Sequence, residues 1–193
     1  MTARNQKHIQ ALLDLASAAE TAGGQAWYQQ ANQIAITLAD RYEIKEEQAC
    51  GVIAALSPRN KWDRNVVDAE NLIAAFVAGG REAAEDVKVC TFTANKVKAI
   101  RILEEAYADG AVFMILSGPK LKEFYACIRG LDDVCIDGHA YSIWFGDRVT
   151  LANVPSIGKK LREETAIMEY GMMQISPEQG QFMGLLVSIL SAK

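Results

Sequence analysis

The chain has 193 residues, half of them hydrophobic, with 20 Lys and Arg against 24 Asp and Glu, a net charge of −4 and an isoelectric point near 5.3. That length suits one domain with a sizeable core, with room for two lobes and a cleft between them, and the acidity argues against a strong nonspecific nucleic-acid binder. No apolar run approaches the ~18 residues of a membrane span and the N-terminus has no leader-like apolar core, so a cytoplasmic protein without a membrane partner is expected.

Helical spacing dominates. His8 to Ala22 places Ile9, Leu12, Leu13, Leu15, Ala16 and Ala19 on one face, and Gly23-Gly24 is expected to end that helix. Trp27 to Tyr42 follows with Ala31, Ile34, Ala35, Leu38 and Ala39 inward. Glu46 to Leu56 is apolar from Ala49 onward, which fits a central buried helix, and Ser57-Pro58 stops it. Asp63 to Val77 is ended by Gly79-Gly80. Val87 to Phe92 is the one strand candidate. Ala94 to Ala108 is helical with Thr93 as N-cap. Ala111 to Leu116 leads into a Ser117-Gly118-Pro119 turn, and Leu121 to Ile128, Gly138 to Phe145 and Ile157 to Gly171 are helices. The last helix opens with the capping box Ser176-Pro177-Glu178-Gln179, and its apolar face suits self-association. The expectation is a single all-α domain over residues 1–193, with about eight to ten short helices.

Cys50, Cys90, Cys127 and Cys135 are too widely spaced for a zinc or iron–sulfur set. They are expected to be reduced and at least partly buried, and neither a metal nor a cofactor is read from the chain. Positive charge gathers in three windows: Arg59, Lys61 and Arg64; Lys96, Lys98 and Arg101; Lys120, Lys122 and Arg129. If the windows meet, an acidic protein has a basic face suited to duplex DNA; the alternative is three separate solvated surfaces.

The stretch from Leu116 to Gly146 carries the most chemistry. Lys120 and Lys122 precede Asp137 by 17 and 15 residues, around a turn and a helix. Three blocks, Gly51 to Ile73, Thr93 to Leu103 and Leu116 to Gly146, come in an order that resembles the helix-hairpin-helix DNA glycosylase superfamily, which includes endonuclease III. The resemblance covers about half the chain and implies a helix-hairpin-helix glycosylase-like bundle that acts on a base flipped out of duplex DNA. Carried over by motif, the hairpin falls on Leu116-Ser117-Gly118, the family lysine on Lys122 and the family aspartate on Asp137 within Ile136-Asp137-Gly138-His139. The loop after Leu56-Ser57 falls where such enzymes insert a side chain beside the flipped base. It gives Arg59, Asn60, Lys61, Trp62 and Arg64 as DNA-binding candidates, with Lys96, Gly118 and Lys120 beside them. Ser117 stands where the family hairpin has Pro, and Lys120 where it has its second Gly. The interval from Lys122 to Asp137 is about one helical turn short of the family's, and the iron–sulfur cysteines have no counterpart.

The implied chemistry is cleavage of an N-glycosidic bond through a cationic sugar. A carboxylate near C1′, here Asp137, stabilises that charge or activates water. Asp137 also suits the N-cap of the helix from Gly138. Lys122 suits a Schiff-base nucleophile, a phosphate contact or a solvated lysine. Two rival readings stand beside the glycosylase. One is a group transferase on a hypermodified pyrimidine, as implied by phage proteins that resemble these glycosylases. The other is a non-catalytic DNA- or protein-binding module.

Overall fold

A computed structural model describes residues 17–106, 108, 110–131, 133 and 135, with residues 11 and 14 besides. The chain divides into two compact units, Tyr28–Asp133 and a second made of Met1–Trp27 with Val134–Lys193. Asp137, the helices expected at 138–145 and 157–171 and the capping-box helix at the C-terminus lie outside the described residues, as does most of the helix expected from His8.

The described residues are all-α. In order they form α1 (Ala18–Tyr42), α2 (Glu46–Leu56), α3 (Trp62–Asp86), α4 (Thr93–Glu105), α5 (Ala111–Ile115) and α6 (Pro119–Ile128). No helix among them is long and apolar enough to cross a membrane.

The expected central helix is α2. Every residue from Gln48 to Leu56 is buried, and α3, α4, α5 and α6 all pack on it. A helix that is apolar on all sides must be covered on all sides, and small residues let the neighbours come close. Gly51 is the closest approach: a Cβ there would lie 2.7 Å from Val112 Cγ1 of α5 and 3.1 Å from Ile102 Cγ2 of α4. Polar side chains fix the first turn of α2. At the start, the Lys45 N–H donates to Gln48 Oε1 (3.1 Å), and Gln48 Nε2 donates to the Ile102 and Leu103 carbonyls at the end of α4 (3.2 and 3.0 Å). Those carbonyls belong to a helix end that needs donors. Arg129, which caps α6, reaches Glu46 (2.8 Å) and Glu47 (3.1 Å) in the first turn of α2.

Three expectations are corrected. Gly23-Gly24 does not end a helix; α1 runs through the pair to Tyr42. Each Gly costs a helix only about 1 kcal/mol against Ala, which a 25-residue helix can carry. Val87 to Phe92 is not a strand but an irregular connector with a bend at Cys90-Thr91, because no second strand exists among the described residues to pair with it. Thr93 is the first residue of α4, not its N-cap; Phe92 holds that place. Gly79-Gly80 does break α3, since Gly80 takes φ 68° and ψ −155°, a region open to Gly alone, but the helix then resumes to Asp86. The resumed turn is held to α4 through Arg81 and Glu104 (2.8 Å).

Candidate nucleic-acid interface

The loop that leaves the buried end of α2 is Ser57-Pro58-Arg59-Asn60. It closes as a tight turn, with the Asn60 N–H donating to the Ser57 carbonyl (3.2 Å). Arg59 sits third in that turn at φ 57°, a left-handed position usually given to Gly or Asn. Its side chain is exposed, and its guanidinium lies 5.1 Å from the centre of the Phe92 ring. Phe92 is half exposed at the start of α4. Lys61, in the N-cap place of α3, is exposed.

The connector runs alongside this loop. Thr91 Oγ1 donates to the Pro58 carbonyl (2.9 Å). Arg59, Val89, Cys90, Thr91 and Phe92 line an open cleft of about 270 Å³. Beneath them lies Asp68, whose side chain is wholly buried. It comes from the inward stripe of α3, with Asn65, Ala69, Leu72 and Ile73. Asp68 Oδ2 accepts from Asn60 Nδ2 (3.0 Å) and from the Cys90 N–H (2.7 Å), and Oδ1 accepts from Arg64 Nε (2.7 Å). The Asp68 carboxylate in turn holds the Arg64 guanidinium above its ordinary range, through the hydrogen bond first and charge second. Asn65 Nδ2 donates to the Ile53 carbonyl (3.0 Å) and so fixes α3 to α2.

The structure therefore brings the first basic window together with the connector that precedes the second. Of the third window, Arg129 is anchored elsewhere, because it binds at the start of α2 and the Arg59 loop leaves from its end. Several of the windows' cations are engaged within the protein. Arg64 pairs with Asp68 and Arg101 with Glu105, Lys96 donates to the Glu85 carbonyl, and Lys98 contacts Asn95 Oδ1 (3.4 Å). Asn60 is also turned inward, donating to the Leu56 carbonyl (3.4 Å) as well as to Asp68. Trp62 is half-buried in the first turn of α3.

The segment Leu116-Ser117-Gly118, expected as a hairpin, joins α5 to α6. Leu116 is extended, Gly118 takes φ 83°, and Pro119 is the first residue of α6, where its missing N–H costs nothing. Lys120 and Lys122 fall in the first turn of α6, both half-buried. Asp137 lies outside the described residues.

Sequence reasoning passed over Asp68, Cys90, Thr91 and Phe92. Asp68 had a signal: an aspartate on the apolar stripe of an amphipathic helix, four residues after an arginine. The thiols also divide differently from expectation. Cys50 and Cys127 are buried, but Cys90 is exposed on the cleft. Burial, and then Glu46, push the Cys50 thiol up to about 12, so it is chemically quiet. Among the described residues no group of three or more His, Cys, Asp or Glu is placed to hold a metal ion.

No curated protein and no solved structure matches the chain. Residues 149–193, outside the described residues, match an O-methyltransferase family. Residues 1–163, which include the whole Arg59 loop, its Asp68 support, the Gly118 turn and Asp137, match a family of unknown function (DUF7178), and the chain belongs to that family.

Proposed function

We propose that this chain is a DNA glycosylase-like enzyme of helix-hairpin-helix type, acting on a damaged or modified base flipped from duplex DNA. The observation that carries the reading is the Arg59 loop. It is a left-handed turn at the end of the most buried helix, fastened from below by a buried carboxylate, and it presents a cation to solvent. Backbone strain of this kind persists only where the surroundings over-determine it, and it gathers at functional sites. A fixed, exposed guanidinium suits a phosphate or the gap left by an extruded base. The Gly118 turn before α6, with Lys120 and Lys122 in the next turn, supports the hairpin part of the reading. Arg59, Lys61 and the two α6 lysines contact DNA, Asp137 stabilises the cationic sugar, and Lys122 is the nucleophile if a lyase step follows.

A second reading keeps the scaffold and replaces excision by group transfer to a hypermodified pyrimidine. The match of residues 149–193 to O-methyltransferases, which are group-transfer enzymes by name, favours it. The test is a titration of a labelled duplex carrying one modified base at several salt concentrations, followed by product analysis. Excision with a released base supports the first reading, and a mass increase on the intact strand the second. Borohydride trapping on an abasic duplex, lost in Lys122→Ala, assigns the lyase nucleophile. Binding with neither product leaves a DNA-binding module, and no binding at low salt removes DNA as the partner.

A further inference from the structure

We infer that Asp68 is the positioning residue of this interface, a buried latch that sets where Arg59 and Phe92 stand relative to each other; its role toward DNA rests on the function proposed above. The Ser57–Asn60 loop and the connector through Cys90 to Phe92 share no backbone ladder. What joins them is side-chain chemistry, and two of its three hydrogen bonds converge on one atom. Asp68 Oδ2 takes the Asn60 amide from the loop and the Cys90 N–H from the connector, while Oδ1 takes Arg64 from the first turn of α3. Three donors face the group, which is the pattern suited to a carboxylate that only accepts. A buried carboxylate is tolerated when it is hydrogen-bonded on both oxygens, and its removal would strand donors that have lost water. Thr91 Oγ1 on the Pro58 carbonyl and the Arg59–Phe92 contact lie above the latch and depend on the register it sets. The latch sits on α3, which Asn65 fastens to α2, so the exposed pair inherits the rigidity of the core.

The geometry also separates the two oxygens. Asp68→Asn can keep its remaining oxygen toward Asn60 and Cys90 and turn its amide toward Arg64, whose side chain is half exposed and free to swing away. Asp68→Ala loses both connections. Asn60→Ala cuts the loop arm alone and leaves Cys90 and Arg64 on the carboxylate, so it serves where Asp68→Ala does not fold.

The experiment uses the full chain and two readouts: amide hydrogen exchange at Cys90 and the Ser57–Asn60 loop, and duplex affinity as a function of salt. The wild type is expected to protect the Cys90 amide. Asp68→Ala should speed its exchange at least tenfold while the α2 amides stay protected, and Asp68→Asn should keep most of the protection. Asn60→Ala should leave Cys90 protected, loosen the loop, weaken duplex binding on the order of tenfold and reduce the log–log salt slope by about 0.9, the signature of one lost phosphate contact. A residue that only stabilises the fold would lower the thermal midpoint and leave affinity and slope of the folded protein unchanged; that result overturns the positioning role. Unchanged Cys90 exchange in a folded Asp68→Ala overturns the latch itself. If the wild type binds no duplex, the proposed function and the DNA role of Asp68 both fail, and the Cys90 exchange alone then decides whether the latch exists.

Discussion

Arg59 is expected to trade stability for function, and two substitutions at that one position measure the trade. At φ 57° any L-residue is strained, by roughly 1–2 kcal/mol relative to Gly. Arg59→Gly removes the strain and the side chain; Arg59→Ala removes the side chain alone. Both lose the contact with Phe92, so that loss cancels between them. Against the relief stands the larger freedom of Gly in the unfolded chain, about 0.4–1 kcal/mol. The Gly variant should therefore exceed the Ala variant by about 0.5–1 kcal/mol, or about 1–4 °C in thermal midpoint for a chain of this size. Urea unfolding with a shared slope gives the difference directly. Both variants should lose duplex affinity equally, with a salt slope lower by about 0.9. Glu43 is the control. It stands at φ 54° just past α1, with the Ile44 N–H returning to the Ala39 carbonyl, as helices commonly end. Glu43→Gly should gain over Glu43→Ala by a similar amount and leave binding untouched. An Arg59→Ala variant as stable as Arg59→Gly would refute the strain reasoning.

Gly51→Ala should destabilise the fold by up to ~2 kcal/mol, because crowding Val112 costs about 1–3 kcal/mol and the better helix former returns about 1. A Val112→Ala background should soften that loss, and a stabilised Gly51→Ala in urea unfolding would contradict the packing. Burial raises Cys50 and Tyr125 each to about 12, from ordinary values of 9.0 and 10.0. The native state thus holds these protons longer than the unfolded chain, so stability should be flat below about pH 9 and fall as pH rises toward 12. For Cys50 the slope approaches about 1.4 kcal/mol per pH unit, and Cys50→Ala should flatten its share in urea midpoints taken from pH 7 to 11. With a thiol reagent at neutral pH, exposed Cys90 should react first and buried Cys50 only on unfolding.

The helical class and the central helix were legible because their signals are local. The helix Glu46–Leu56 is apolar all round from Ala49 onward, and Ser57-Pro58 marks its end in the sequence as in the structure. The misreadings share a different cause. Gly23-Gly24 and Gly79-Gly80 look alike in sequence, yet α1 continues through the first and α3 breaks at the second. A pair of glycines permits a break, and the surrounding packing decides whether one forms. Val87–Phe92 has strand-like composition, but a strand needs a partner, and this segment spends the Cys90 N–H on Asp68. The Arg59 loop was legible as a loop from the helix stop at Ser57-Pro58. Its support was not, because contacts that join position 68 to positions 60 and 90 leave no periodic trace. Counting basic residues likewise could not tell the exposed Arg59 from Arg101 and Arg129, whose partners are Glu105, Glu46 and Glu47.

The most direct test of the proposed enzyme compares the wild type with Asp137→Asn on duplexes that each carry one damaged or modified base. Base release by the wild type, lost in the variant while duplex binding persists, is the expected result. Release that survives Asp137→Asn, or a wild type that does not bind duplex DNA at low salt, would contradict it.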